Sequence, residues 1–229
     1  MTIDALIPAR RGSRRLPGKH QRILGGRPLI DWTLHAALEA GIFRRITLST
    51  DDPALREHAQ TLGLSHFPLR PAALARDDSS SLAVLRHYLG WLAAEGVALP
   101  RWLMLLQPTS PFRGAARMRE AWRLARDSGR EVVSLGPVEK PLDWCRLVLK
   151  GEARPWACAE PVPVWRLNGA VYLVRVERLL AEGSLLSDRP LALTMADWES
   201  VDIDTPLDWR LAEAVAADRF PAQPGEPRP

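Results

Sequence analysis

Trp102-Leu-Met-Leu-Leu106 is five apolar residues without a polar break. A run this short suits a strand covered on both faces, the kind found inside parallel sheets flanked by helices. The neighbouring sequence supplies the other layers. Apolar runs at 3–7, 45–50 and 131–135 read as further strands, and 65–69 as a short extended piece. Helical spacing is predicted over 28–40, over 53–62, from the serines at 79–81 to about 95, and over 115–128. Pro28 and Pro53 suit first-turn positions, while Gly41 and Gly63 suit helix stops. Strands alternating with such helices predict an α/β domain of three layers, doubly wound on a mostly parallel sheet. Ligands in such sheets bind at the carboxyl ends of strands.

The alternation breaks between 136 and 164. Pro137, Pro141, Pro155, Pro161 and Pro163 exclude a long helix, and only 145–149 looks strand-like. Residues 137–165 read either as an inserted dimerisation arm or as an irregular surface loop. Regular structure resumes with a turn and strand over 168–174, a helix over 176–182, short strands at 191–195 and 199–203, and a helix over 206–217. From Pro221 the chain holds four prolines in nine residues and reads as a disordered tail. A chain of 229 residues, 46% hydrophobic, builds one sizeable core, so residues 1–220 are expected to form a single domain.

The loop after the first strand concentrates positive charge. Arg10, Arg11, Arg14, Arg15, Lys19 and Arg22 fall between positions 10 and 22 with no acidic residue among them. Gly12 and Ser13 let backbone N–H groups approach a ligand, and Arg and Lys offset its charge, which is how proteins hold phosphate. A solvated basic face is the plainer reading of a charge run. The two prolines and two glycines near it restrict its geometry more than solubility requires. The loop is neither a GxxxxGK[ST] nor a GxGxxG motif. A formal charge of +4 suits a polyanionic small ligand at least as well as nucleic acid, which calls for a broader basic face.

Two other stretches carry chemistry. In Val201-Asp-Ile-Asp204, a strand would point Asp202 and Asp204 the same way, suited to Mg²⁺. Alternatively, Asp204 or Thr205 caps the helix that starts at Pro206, with Asp208 completing a capping box. Gln107-Pro-Thr-Ser-Pro-Phe-Arg113 offers Gln107, Thr109 and Ser110 to a polyhydroxylated ligand, or is a plain strand-to-helix turn. Arg166 and Asn168 suit a carboxylate, or surface charge beside a turn. No GxSxG is present, and His20, His35, His58, His66 and His87 show no metal spacing. Cys145 and Cys158 also lack it, so a reducing compartment is expected. No run approaches the ~20 apolar residues that span a bilayer. Asp4 and Pro8 interrupt the start as a signal peptide would not be interrupted, which predicts a cytoplasmic protein with no membrane partner.

Taken together and in this order, Ile7-Pro-Ala-Arg10 through Lys19, Ser49-Thr-Asp51, Arg70-Pro-Ala, Leu106-Gln-Pro-Thr-Ser-Pro111, Asn168-Gly-Ala-Val-Tyr172 and Asp202-Ile-Asp204 resemble the N-acylneuraminate (CMP-sialic acid) cytidylyltransferases. The resemblance implies a Rossmann-like nucleotidyltransferase fold with a small dimerisation arm, a homodimer, and Mg²⁺. It implies reaction of CTP with a nonulosonic acid to give a CMP-sugar and pyrophosphate. By position it assigns Arg10, Gly12, Ser13, Arg14 and Lys19 to the triphosphate, and Arg70, Ser79, Ser80 and Ser81 to the cytidine side. Gln107, Thr109, Ser110, Arg166, Asn168 and Tyr172 would face the sugar, and Asp202 and Asp204 the metal. Arg14, Lys19 and Asp204 would serve catalysis. His20 stands where the family commonly has Asn, and Arg14 where it often has Lys. Arg15-Leu-Pro-Gly-Lys19 is also similar to the 3-deoxy-manno-octulosonate cytidylyltransferases, an alternative beside a non-catalytic binder of the same fold. Sialic, legionaminic and pseudaminic acids are not separated by these motifs.

Overall fold

The computed structural model describes residues 2–13, 15–138, 140, 144–155 and 163–221. Arg14, Cys158 and the end of the tail lie outside the described residues, as does much of the segment read as an arm. In chain order the elements are β1 (Ile3–Pro8), β2 (Ile23–Leu24), β3 (Arg27–Pro28), α1 (Leu29–Ala40), β4 (Arg45–Ser49), α2 (Pro53–Thr61), α3 (Ser81–Ala94) and β5 (Trp102–Leu105). They continue as α4 (Ala115–Ser128), β6 (Val132–Pro137), β7 (Arg146–Leu149), β8 (Glu152–Pro155), β9 (Trp165–Arg175), α5 (Val176–Glu182), β10 (Leu191–Thr194) and α6 (Pro206–Arg219).

Six strands form one sheet in the order β10-β6-β9-β5-β1-β4. Its ladders are parallel except those of β9, which runs antiparallel to both β5 and β6. Side-chain alternation splits the core between the two faces. Trp102 and Met104 of β5 join Ile3, Ala5 and Ile7 of β1 under α1 and α4, while Leu103 and Leu105 join Leu6 under α3 and α5. The fold is therefore the three-layer, mostly parallel α/β arrangement that the alternation predicts.

A third cluster ties the carboxyl-terminal helix to the basic loop. Leu16, Leu24, Trp32, Phe112, Ile203 and Trp209 pack together. The Trp32 indole lies edge-on to Phe112 at 5.4 Å and to Phe220 at 5.0 Å, and its Nε1 donates to the Leu24 carbonyl at 3.0 Å. This corner fixes where the chain enters α6.

Two local expectations are corrected, those at 199–203 and at 168, and two others take a more definite form. Residues 199–203 are not a strand: a 3₁₀ turn, Trp198–Ser200, leads into an irregular segment. Its backbone bonds outside any ladder, with Ile203 N donating to Thr109 O at 2.8 Å and Ile203 O accepting from Lys19 Nζ at 3.0 Å. Residues 65–69 make only one bridge, Ser65 to Thr47, before Pro68 removes a donor. The strand expected at 168 begins at Trp165, because Asn168-Gly169 forms a bulge inside β9 and not a turn before it. The pairing register against β6 shifts there, and Gly169 takes a left-handed φ of 77°. The strand-like 145–149 is half of a hairpin, β7 with β8, turned by Lys150 and Gly151 with φ of 50° and 83°. Two successive positive φ values suit such a two-residue turn.

Trp32→Ala should cost about 3–5 kcal/mol of unfolding free energy in urea denaturation, as expected for emptying a buried tryptophan site. A loss below about 1 kcal/mol would show that this corner does not hold α6 in place.

Candidate functional site

The loops after β1 and β5 and the loop leading into α3 open on one edge of the sheet, and the segment before α6 closes against them. Between them lies a cleft of about 250 Å³. Arg10, Gly12, Lys19 and His20 of the basic loop line it, as do Arg70, Arg76, Asp77, Ser79 and Ser81 of the loop leading into α3. Gln107 and Thr109 follow β5, and Asp202 and Asp204 precede α6. A wider hollow of about 570 Å³ adjoins it, lined by Arg10, Gly12, Ser13, Arg76 and Asp77 among others.

Each group is set by local structure. Gly18, with a left-handed φ of 66°, caps a 3₁₀ turn (Lys19–Gln21) that aims Lys19 inward. The Lys19 Nζ donates to Ile203 O and to Asp204 Oδ1, both at 3.0 Å, and Arg15 Nη2 reaches Asp204 Oδ2 at 3.1 Å. Arg10 pairs with Asp77 across the cleft. Arg70 is buried: its Nε donates to Ser49 Oγ at 3.1 Å and its Nη2 to the Ser49 carbonyl. Burial brings the Arg70 guanidinium down to about 10, with Asp51 raising it and Arg10 lowering it.

The capping question has a definite answer. Thr205 is the N-cap of α6, its Oγ1 accepting from Asp208 N at 3.3 Å, while Asp208 Oδ2 accepts from Thr205 N at 2.7 Å. The Asp204 carboxylate is thereby left to Lys19 and Arg15. Asp202 is partly buried, and burial pushes its carboxyl upward. A hydrogen bond from Thr109 and the charge of Lys19 oppose that shift, while Asp204 and Asp208 add to it. Asp202 Oδ1 is buried with no hydrogen-bond partner among the described residues. An unsatisfied, desolvated carboxylate oxygen beside a second carboxylate is a donor set that fits a hard divalent cation.

Not every residue singled out in the sequence lines the cleft. Ser80 caps α3, its Oγ accepting from Ala83 N. Asn168 and Ser110 are buried behind the cleft. The Asn168 Oδ1 accepts from Ser134 Oγ at 2.6 Å, its Nδ2 donates to Ser200 Oγ at 3.0 Å, and its carbonyl accepts from Ser110 Oγ at 3.3 Å. Arg166 is exposed on β9 and donates to Ser200 O at 3.3 Å. Tyr172 is half-buried; burial, then the charge of Asp202, raises its phenol. Arg14 lies outside the described residues. Arg15, Arg76 and Asp77 were not singled out for the site. Their signal was weak, since charged residues in a polar loop read as solvated.

Comparison with known proteins finds cytidylyltransferases. A family model described as cytidylyltransferase matches residues 5–112. The chain is 37% identical to the CMP-N,N'-diacetyllegionaminic acid synthase of Legionella pneumophila over 226 residues, covering 94% of this chain and 96% of that protein. It is 31% identical to the N-acylneuraminate cytidylyltransferase of Escherichia coli and 33% identical to that of Streptococcus agalactiae, over 93% and 89% of its own length. It spans about half of those two longer proteins, 52% and 51%. In fold it is similar to a solved CMP:2-keto-3-deoxy-manno-octonic acid synthetase complexed with CTP, with a TM-score of 0.69 at 18% identity, covering 96% of this chain and 100% of that one.

His20 gives this site a pH signature. Burial, with Lys19, Arg70 and Arg10 close by, lowers its imidazole from 6.5 to about 3, so it is neutral in the folded protein. The unfolded chain binds a proton there near its ordinary value and the folded chain does not. The stability this represents is therefore complete above about pH 6.5 and is lost as pH falls, by up to about 1.4 kcal/mol per pH unit. His20→Asn should remove that slope, so the variant gains on the wild type in urea denaturation as pH drops from about 6.5 to about 4.5. A difference that stays constant over that range would show the imidazole to be protonated in place.

Proposed function

This chain belongs to the cytidylyltransferase family, and from that premise we propose that it transfers the cytidylyl group of CTP to a nine-carbon 2-keto sugar acid of the sialic and legionaminic type. The observation that carries the reading is the convergence of Lys19 and Arg10 with Asp202 and Asp204 on one cleft at the carboxyl ends of the strands. That cleft offers cations to a triphosphate and carboxylates to its counterion. Among the relatives, the diacetyllegionaminic acid synthase matches along nearly its whole length, and a diacetylated legionaminic acid is the preferred substrate of the proposal.

In this reading the anomeric hydroxyl of the sugar acid attacks the α-phosphorus of CTP in line. The oxygen–phosphorus bond to pyrophosphate breaks as the new ester forms, and the hydroxyl proton leaves to solvent or base. Lys19, Arg10 and Arg14 hold the triphosphate and stabilise charge on the departing pyrophosphate, the preorganised electrostatics that usually dominates such transfers. Neutral His20 offers a hydrogen bond there without adding to the repulsion among the cations. Gly12 and Ser13 bring backbone N–H groups alongside. Arg70, Ser79 and Ser81 bound the cytidine side, and Gln107 and Thr109 face the sugar. Asp202 and Asp204 fit Mg²⁺, which when bound adds positive charge at the phosphate oxygens.

The assembly belongs to the proposal as well. Trp144 and Val148 are exposed at 68% and 72%, and Trp165 and Leu167 at 40% and 48%, on the β7–β8 hairpin and the start of β9. Apolar surface of this kind suits contact with a second copy, as a homodimer requires. Among the described residues no helix is long and apolar enough to cross a membrane. The sequence's two thiols suit the reducing conditions of a cytoplasm.

Pyrophosphate release from CTP and Mg²⁺, measured across sialic, legionaminic and pseudaminic acids and the eight-carbon octulosonate, tests the reading. Turnover with a nine-carbon acid is expected. Turnover confined to the octulosonate would favour the shorter sugar, and binding without pyrophosphate release would favour a non-catalytic binder. Asp204→Asn should abolish turnover with the melting temperature kept, and near-normal activity would remove it from the metal site. Lys19→Ala should lower kcat/KM by ~10²-fold or more, as loss of a transition-state charge contact does. An unchanged kcat/KM would take Lys19 out of the site.

A further inference from the structure

The polar loop after β5 is held from behind by a buried guanidinium. Arg113 is 0% exposed. Its Nη1 donates to the Gln107 carbonyl at 3.2 Å and to the Ala170 carbonyl at 2.6 Å, and its Nη2 to Thr33 Oγ1 at 2.8 Å. Among the described residues no carboxylate pairs with it, and burial lowers it to about 9, so it remains charged at neutral pH. A buried charge held by neutral oxygens alone is weak as a source of stability, since an apolar side chain of similar size often does as well. Its three acceptors belong to three different parts of the fold: the loop after β5, the bulge of β9, and α1. The guanidinium therefore fixes that loop against that bulge.

At the same bulge, Gly169 makes room for Gln107. A Cβ on Gly169 would lie 2.5 Å from Gln107 Oε1, so the amide would have to move, while its 3.6 Å distance to Cδ is an ordinary contact. Gln107 lines the cleft. Two residues on, Thr109 hydrogen-bonds Asp202 through its side chain and accepts Ile203 N at 2.8 Å. The loop that Arg113 and Gly169 hold is thus the one that meets both the cleft and the paired carboxylates.

We propose that Arg113 and Gly169 are positioning residues for the acidic sugar: the guanidinium fixes the backbone of Gln107, and the missing side chain at 169 leaves the slot from which its amide faces the sugar's polar substituents. Neither touches substrate; both act through Gln107. This rests on the reading that Gln107 faces the sugar acid.

A double-mutant cycle separates the two claims. Steady-state kinetics with CTP and the best sugar acid are measured for Gln107→Ala, Gly169→Ala, Arg113→Met and each of the latter two combined with Gln107→Ala. Melting temperatures are recorded for all. Gly169→Ala is expected to raise KM for the sugar acid ~10-fold while kcat and KM for CTP stay within ~3-fold, the pattern of lost binding to one substrate. Combined with Gln107→Ala it should add nothing, because the group it displaces is already gone. Arg113→Met should show the same non-additivity, and its cycle decides the matter if Gly169→Ala does not fold. Effects that add fully to that of Gln107→Ala overturn the positioning role while leaving Gln107 in the site. A Gln107→Ala variant with an unchanged KM for the sugar removes Gln107 from the sugar site, and the inference with it.

Discussion

Lys19 and Asp204 lie 185 residues apart in the chain and 3.0 Å apart in space, and both line the cleft. The lysine stem is buried, so its head has little freedom, and it bonds the Ile203 carbonyl as well as the carboxylate. With Asp204 half exposed, the pair contributes little to stability, as exposed ion pairs do. What it fixes is position: the last loop of the fold lies against the first. The parallel sheet makes that possible, because β1 and β5 are neighbours whose carboxyl ends open on the same edge.

Burial then decides what the assembled charges can do. The basic loop brings Arg10 and Lys19, and the loop before α3 brings Arg70, around His20, and the imidazole responds by staying neutral. The same desolvation works in the opposite sense on Asp202, raising the carboxyl and leaving one oxygen without a partner among the described residues. A cleft with cations on one wall and an unsatisfied carboxylate on another is matched to a ligand carrying both phosphates and a counterion. Asp204, in contact with Lys19 and Arg15, joins the two walls.

The neighbouring framework explains why these loops are held where they are. Trp32 packs against Phe112, which follows the loop after β5, and against Phe220, which ends α6. Arg113, one residue beyond Phe112, bonds the β9 bulge. An aromatic corner and a buried guanidinium thus fasten the same loop from two sides.

Much of the fold was legible in the sequence. Helix α4 and helix α5 lie where the apolar spacing puts them, and β1, β4 and β5 begin where their runs do, because local periodicity reports directly on which face is buried. The basic loop, the polar loop after β5 and the Asp202–Asp204 pair stand out in the sequence by residue type, and the fold brings parts of all three to one cleft. Other features were not legible. Residues 199–203 alternate like a strand but bond to a side chain and a loop, which no local pattern records. Asn168-Gly169 reads as a turn and forms a bulge, because its partner strand is far off in sequence. Whether Asp204 capped a helix or faced a cation depended on Thr205 and Asp208 completing the cap between them. The layers and the kinds of charge available can be read along the chain, because both follow from residue type and short-range spacing. Which charges meet, which are desolvated and which are spent on caps emerged with the folded arrangement, because those outcomes depend on groups that approach through space and not along the chain.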